Sequence, residues 1–272
     1  MNADASCCDM SPKVSVITVN FNMGSELGAT LDSVLDQDYF NFESIVIDGG
    51  SVDQSLDVLR EYASRLSYWV SEPDENLYDA MNKGVRAACG EWIVFMNSGD
   101  RFSSSDVLTK MFTVGHHYAD VIYGNHVRFY PALGIKRLII AEAPTVLPFR
   151  MNCCHQSVFM RRRFLLERPF SLEFLAAGYD RLLDAYTSGL LFDHVDCVVA
   201  VASTGGRSDK QRLRSLLERV SIVRRHGRMT PRIAVYYGRL IAQALIAPAI
   251  KKAIPRGLLT EILKRRPING LG

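Results

Sequence analysis

Residues 14–21 read VSVITVNF, a mostly β-branched and apolar run. It is too short for a helix of this hydrophobicity and fits a strand buried on both faces, as in a parallel sheet. Asn22-Met23-Gly24 breaks the run, and Leu27, Leu31, Val34 and Leu35 then fall at helical spacing, predicting an amphipathic helix that closes before Tyr39. A second strand, FESIVID from Phe42 to Asp48, stops at Gly49-Gly50-Ser51 and is followed by a helical pattern from Leu56 to Leu66. The alternation continues with a strand from Ser67, a helix from Leu77 to Ala88 and a buried strand from Glu91 to Asn97. Strand and helix alternating at this pace predict βαβ units and an α/β fold. Its mostly parallel sheet is flanked by helices, with a ligand crevice at the carboxyl ends of the strands.

After Asp100 the alternation loosens. The segments from Val121 (VIYGNHVRFY) and Ile135 (IKRLIIAEA) alternate as a hairpin does, and helical patterns return at Arg163 and from Asp180 to Gly189. From Leu213 onward the chain is helical apart from the Gly227 to Pro231 region. This divides the chain into a body at 11–208 and a tail at 209–272.

Charge sharpens the division. The whole chain of 272 residues carries a net +3, yet from Arg207 to Arg266 there are 16 Lys or Arg against three acids. An acidic body is thus joined to a basic amphipathic helical tail, which implies an anionic partner: a membrane surface, a nucleic acid or a phosphorylated ligand. The apolar run from Ile233 to Pro255 is interrupted by Arg239 and Pro248, which argues against a spanning helix. Two readings stay open: a helix lying in the headgroup region of the inner leaflet, or a helix pair packed on the body or on a second subunit in a homodimer. The N-terminus lacks the pattern of a signal peptide, and no CxxC spacing joins the six cysteines. A cytoplasmic protein, peripheral on the inner face of the membrane and with reduced thiols, is the expectation.

The polar residues that end the strands carry the chemistry. Asp48 stands at a strand tip, followed by Gly49 and Gly50, which let backbone approach a flat ligand, and by Ser51 and Asp53, which suit a helix cap. A carboxylate there accepts hydrogen bonds from a base or a ribose. Asn97-Ser98-Gly99-Asp100 ends the most hydrophobic strand with one acid, enough for a hard divalent ion whose other ligands come from a diphosphate.

The segments VSVITVNFN, IDGGSVDQS, SEPDENLYDAMNKG and GEWIVFMNSGD occur in order at spacings that resemble the inverting family 2 glycosyltransferases of GT-A fold, most closely the subgroup that builds exopolysaccharides such as colanic acid. The resemblance covers about residues 13–208. It implies that Thr18, Val19 and Asn20 line the nucleotide pocket, that Asp48 with Gly49 holds the base, and that Asp79, Asn82 and Lys83 approach ribose and diphosphate. Asp100 matches the last acid of the family's DxD motif and implies Mg²⁺ or Mn²⁺; Asn97 or Ser98 replaces its first acid. Asp180, in AAGYD, lies about where the family places its catalytic base, although the family often has an acid where Gly178 stands. His155 and Gln156 resemble a His-Gln pair of the subgroup, with His155 a catalytic or sugar-contacting group or else a structural histidine. Arg207, in GGRS, resembles a loop that closes over the diphosphate, or else opens the tail as a plain turn.

The function implied is inverting transfer of a hexose from a nucleotide diphosphate sugar to a hydroxyl of a lipid-linked polysaccharide or glycolipid acceptor, with metal dependence. A sugar-nucleotide binding module without turnover is the alternative. Nucleic-acid binding by the basic tail is disfavoured because Lys264-Arg265-Arg266 lacks interleaved aromatics, and a nicotinamide oxidoreductase because no GxGxxG follows the first strand. Asp48, Asp100 and Asp180 are expected around one cleft.

Overall fold

The computed structural model describes residues 14–113, 115, 118–205 and 211–253. The first strand, β1 (Val14–Asn20), is buried along its whole length. Its period of two sends Val14 and Val16 to one apolar cluster and Ile17 and Val19 to another, so both faces of the sheet are covered. β2 (Phe42–Asp48) and β4 (Trp92–Phe95) run parallel to β1, and β3 (Tyr68–Ser71) runs parallel to β2. In the β1–β2 register Asn20 stands opposite Asp48, so the two strands end at one level.

Between these strands lie α1 (Gly24–Leu35), α2 (Ser55–Tyr62) and α3 (Leu77–Ala87). The helical pattern expected to Leu66 closes as a 3-10 turn at Ala63–Arg65. Asn76 caps α3 by accepting from the backbone N–H groups of Tyr78 and Asp79. Gly84 brings α3 onto the sheet: a Cβ there would stand 2.5 Å from Ile17 Cγ2.

The second half continues the same sheet. β5 (Arg101–Phe102) precedes α4 (Val107–Phe112), and β6 (Val121–Tyr130) forms the expected hairpin with β7 (Ile135–Ile139). β8 (Val158–Arg161) lies antiparallel between β4 and β6, and β9 (Phe192–Ser203) runs parallel to β6 and antiparallel to β5. The order is β3-β2-β1-β4-β8-β6-β9-β5, a mixed sheet with β7 added to β6. Two helices, α5 (Arg162–Glu167) and α6 (Ala177–Thr187), complete this half.

The basic segment forms α7 (Arg212–Arg225) and α8 (Pro231–Ala253). Leu216, Ile222, Val223, Ile233, Tyr237 and Leu240 enter the same cluster as Ile17 and Ile47. Of the two readings of the tail, packing on the body therefore holds for this stretch. The other side of α8 leaves Val235, Leu245 and Ile246 exposed. Among the described residues no helix is long and apolar enough to cross a membrane. Cys89, Cys153, Cys154 and Cys197 are free thiols.

Candidate functional site

A cleft of about 650 Å³ opens beside the carboxyl end of β4. Its walls are the Asn97–Asp100 turn, the start of α3, residues 155–156, the loop at 172–176, Gly178 and Tyr179 of α6, residues 203–205, and Arg214, Ser215 and Arg219 of α7. Backbone bonds from Met96 to Ile17 and from Ser98 to Val19 carry the chain past β4 into the turn. Gly99 closes the turn at φ +92°, a conformation open to glycine.

Asp100 is 7% exposed. Its Oδ1 accepts from the Ser203 N–H at 2.9 Å and its Oδ2 from Gln156 Nε2 at 2.6 Å. Burial outweighs these bonds and pushes its carboxyl up to about 6. Beside it, Asn97 Oδ1 and Ser98 Oγ are buried without a hydrogen-bond partner. Buried polar atoms normally find partners, so their concentration on the wall of a cleft points to a ligand. One carboxylate, one amide oxygen and one hydroxyl form an oxygen donor set that suits a hard divalent cation sharing its shell with diphosphate oxygens. Among the described residues no group of three or more His, Cys, Asp or Glu side chains converges, so the protein alone supplies only part of such a shell.

His155 faces the same cleft, stacked on Phe95 at 5.1 Å and edge-on to Phe170 at 5.8 Å. Burial lowers its pKa to about 4, so the imidazole is neutral at pH 7. Its Nε2 has no partner, and its Nδ1 lies 3.3 Å from the point where a Cβ on Gly178 would sit. A side chain at position 178 would therefore press on His155.

Asp180, expected as the base, does not line this cleft. Its carboxylate is fully buried. Oδ2 accepts from Arg181 Nη2 at 2.9 Å, while Oδ1 is bound by Arg225 Nη2 at 2.6 Å and His226 Nε2 at 2.9 Å. Burial alone would raise its pKa, but these three partners outweigh burial and hold it well below the carboxylate range. Nor is it an N-cap: it lies in the first turn of α6, with Ala176 at the cap.

Asp48 is also spent internally. It accepts from Asn20 Nδ2, from Ser51 through both N–H and Oγ, and from Ser71 Oγ, at 2.6 to 2.9 Å. Burial raises its pKa, but the hydrogen bonds from Ser51, Ser71 and Asn20 turn the net shift downward. Of the three acids expected around one cleft, Asp100 lines this one. Thr18, buried with Oγ1 unpartnered, and Val19, a core residue, lie beneath Asn20, and Gly49 bonds Asn20 through its N–H. The side-chain amide of Asn82 exchanges two 2.9 Å bonds with the backbone of Phe170. Lys83 Nζ sits 2.6 Å from Asp74, 2.8 Å from Glu72 and 3.7 Å from Asp79. Arg207 lies outside the described residues.

Of the residues expected from sequence, Asn97, Ser98, Asp100 and His155 share the cleft. Sequence reasoning missed Tyr78, Arg214 and Arg219, which also line it. The basic excess after Arg207 was a signal for the two arginines, without saying where they point.

Comparison with known proteins places this arrangement. The family model described as glycosyl transferase family 2 matches residues 15–170. A PGL/p-HBAD biosynthesis glycosyltransferase of Mycobacterium tuberculosis is 29% identical over 252 residues, covering 87% of this chain and 95% of that protein. An uncharacterized glycosyltransferase of the same species is 46% identical over 101 residues, 37% of this chain and 38% of the other. Among solved structures, a mannosyltransferase from Pyrobaculum calidifontis in complex with GDP-Man and Mn²⁺ superimposes with a TM-score of 0.63 at 16% identity, covering 94% of this chain and 79% of that one. TarS 1-349 of S. aureus in complex with UDP gives 0.60 at 18% identity, covering 79% of this chain and 65% of that one, just under two thirds of its length. The fold shared with these neighbours is GT-A-like, a mixed sheet flanked by helices.

Proposed function

Because the chain belongs to glycosyl transferase family 2, we propose that it transfers a hexose from a nucleotide diphosphate sugar, with inversion, to a hydroxyl of a lipid-linked saccharide or glycolipid acceptor in exopolysaccharide or cell-surface glycolipid assembly. The observation that carries this reading is the cleft at the end of β4, where unpartnered Asn97 and Ser98 oxygens flank a carboxyl poised near 6. Such a wall is polar where a diphosphate would lie and apolar at Tyr78, Met81 and Phe174, where a sugar face would rest.

Asn97, Ser98 and Asp100 would hold Mg²⁺ or Mn²⁺, which supplies charge neutralisation for the departing diphosphate. Thr18, Asn20, Asp48 and Gly49 shape the floor of the nucleotide pocket, Asp48 by fixing Ser51 and Asn20 rather than by meeting the base. Asp79 and Lys83 stand at its rim. Arg207 keeps its role as a phosphate contact. With Asp180 enclosed, the proton of the acceptor hydroxyl goes to His155, a neutral imidazole stacked in place by Phe95 and facing the space left by Gly178. A pKa near 4 makes this imidazole about as basic as a carboxylate. α7 and α8 stay on the inner face of the membrane through the exposed apolar side of α8.

The test is a panel of UDP-, GDP- and dTDP-sugars with and without Mg²⁺ or Mn²⁺, read by thermal shift and by release of nucleoside diphosphate. One nucleotide class is expected to raise the melting temperature and to be turned over only with the cation. Equal, metal-indifferent responses to all three overturn the reading. H155N is expected to lower kcat about a hundredfold with unchanged nucleotide affinity.

A further inference from the structure

Arg219 is a cation at the wall of the cleft to which no described residue offers an ion pair. It lies on α7 and lines the same space as Asp100 and Gly178. Its Nε is buried and hydrogen-bonds nothing. Its guanidinium rests 5.2 Å above the ring of Tyr179. That ring is fixed because the Tyr179 hydroxyl donates to the Leu147 carbonyl at 2.7 Å and meets the Tyr237 hydroxyl at 3.2 Å. The adjacent acid, Glu218, is committed elsewhere: Oε1 accepts from Arg214 Nε at 2.9 Å and Oε2 from the Ala176 N–H at 3.0 Å. Among the described residues no carboxylate forms an ion pair with Arg219.

Removing a guanidinium from water without an anion is costly, whereas a planar fork of N–H donors matches phosphate oxygens two at a time. We propose that Arg219, with Arg214 beside it, forms a phosphate subsite on α7, separate from the Asn97–Asp100 turn. The subsite takes a phosphate group of a bound substrate, from either the donor diphosphate or a prenyl-diphosphate-linked acceptor. It rests on the glycosyl-transfer reading and gives the basic segment a place in the site: α7 brings positive charge to the cleft as well as apolar side chains to the core. Tyr179 is the rigid seat on which the guanidinium is presented.

The full chain and its R219Q and R219K variants are titrated calorimetrically at low salt with two phosphate probes, the nucleoside diphosphate that binds best among UDP, GDP and dTDP, and geranyl diphosphate. The matching nucleoside and geraniol are the controls. R219Q is expected to weaken one phosphate probe about tenfold while the controls keep their wild-type response. R219K, which keeps the charge but loses the fork, weakens it about threefold and serves alone if melting curves show R219Q unfolded. Loss on the nucleoside diphosphate assigns the subsite to the donor, and loss on geranyl diphosphate to the acceptor. Wild-type affinity of the folded variants for both probes overturns the proposal, as does an equal loss for the nucleoside. Binding of both phosphate probes that is intact in every variant overturns the subsite but leaves the glycosyltransferase reading standing. Absence of nucleoside diphosphate binding to the wild type overturns both.

Discussion

Asp100 and Asp180 are both buried acids at the beginning or end of a secondary-structure element, yet their surroundings differ in one respect. Around Asp180 both carboxylate oxygens are answered, by Arg181, Arg225 and His226, and Arg181 also meets Asp184 at 3.0 Å, while its own Nε stays buried without a partner. Around Asp100, Asn97 Oδ1, Ser98 Oγ and His155 Nε2 have no partner, and among the described residues no acid pairs with Arg219 in the same cleft. The first region is a joint that fixes α6 to the end of α7. The second is a surface prepared for something else. Burial of an acid therefore does not identify function; the direction of its pKa does better, downward in the satisfied network and upward at the cleft.

The comparison breaks first at Asp180. D180A leaves two arginines and a histidine facing an empty site and is expected to cost about 3 to 5 kcal/mol, which for a chain of this size is a fall of about 10 °C in melting temperature. Nucleotide affinity of the molecules that remain folded stays at the wild-type value. The sign of the pH effect follows from the lowered pKa. The stabilisation by Asp180 is complete above the ordinary carboxylate pKa of about 4 and is lost as pH falls through it toward the lower folded value. Acid-unfolding curves of wild type and D180A should accordingly converge at low pH. Parallel curves would mean the carboxylate is not held by its cations.

D100N sharpens the other side. Turnover is expected to drop about a hundredfold, equivalent to about 2.7 kcal/mol of barrier, while the metal-free melting temperature holds or rises. The reason is that a carboxyl pushed up to about 6 gives the folded state no stability in its charged form at pH 7. A large loss of stability would place Asp100 with Asp180 as a structural acid. N82A removes both bonds to the Phe170 backbone and is expected to cost about 1 to 2 kcal/mol, read by chemical denaturation. Because Phe170 touches His155, the same variant should lower kcat more than it changes nucleotide affinity. G178A is the mildest change. Its Cβ would approach His155 Nδ1 at 3.3 Å, and about 0.5 kcal/mol or less of stability is at stake, with a several-fold loss of turnover.

Much of the fold was legible because its cause is local. Val14 to Asn20, Phe42 to Asp48 and Trp92 to Phe95 are apolar on both faces, and runs of that kind become central parallel strands wherever helices cover them. The Asn97–Asp100 turn was legible for the same reason, since a polar Gly-containing break after a buried strand lands at the carboxyl edge of the sheet. Helical periodicity, by contrast, located α6 without saying which way Asp180 faces. The resemblance directed Asn82 toward ribose and diphosphate, while nothing in YDAMNKG reveals that its amide also clamps the backbone of Phe170, 88 residues later.

The order of strands and helices, the glycine turns and the excess of positive charge after Arg207 were determined by the chain itself, because they depend on spacing and composition. Which acid is spent on internal cations, which one is left beside unpartnered oxygens, and that an arginine of α7 enters the cleft were decided only by tertiary structure. The physical reason is that a carboxylate or guanidinium takes its role from whichever charges and donors packing brings within about 3 Å of it, and those partners are distant in sequence.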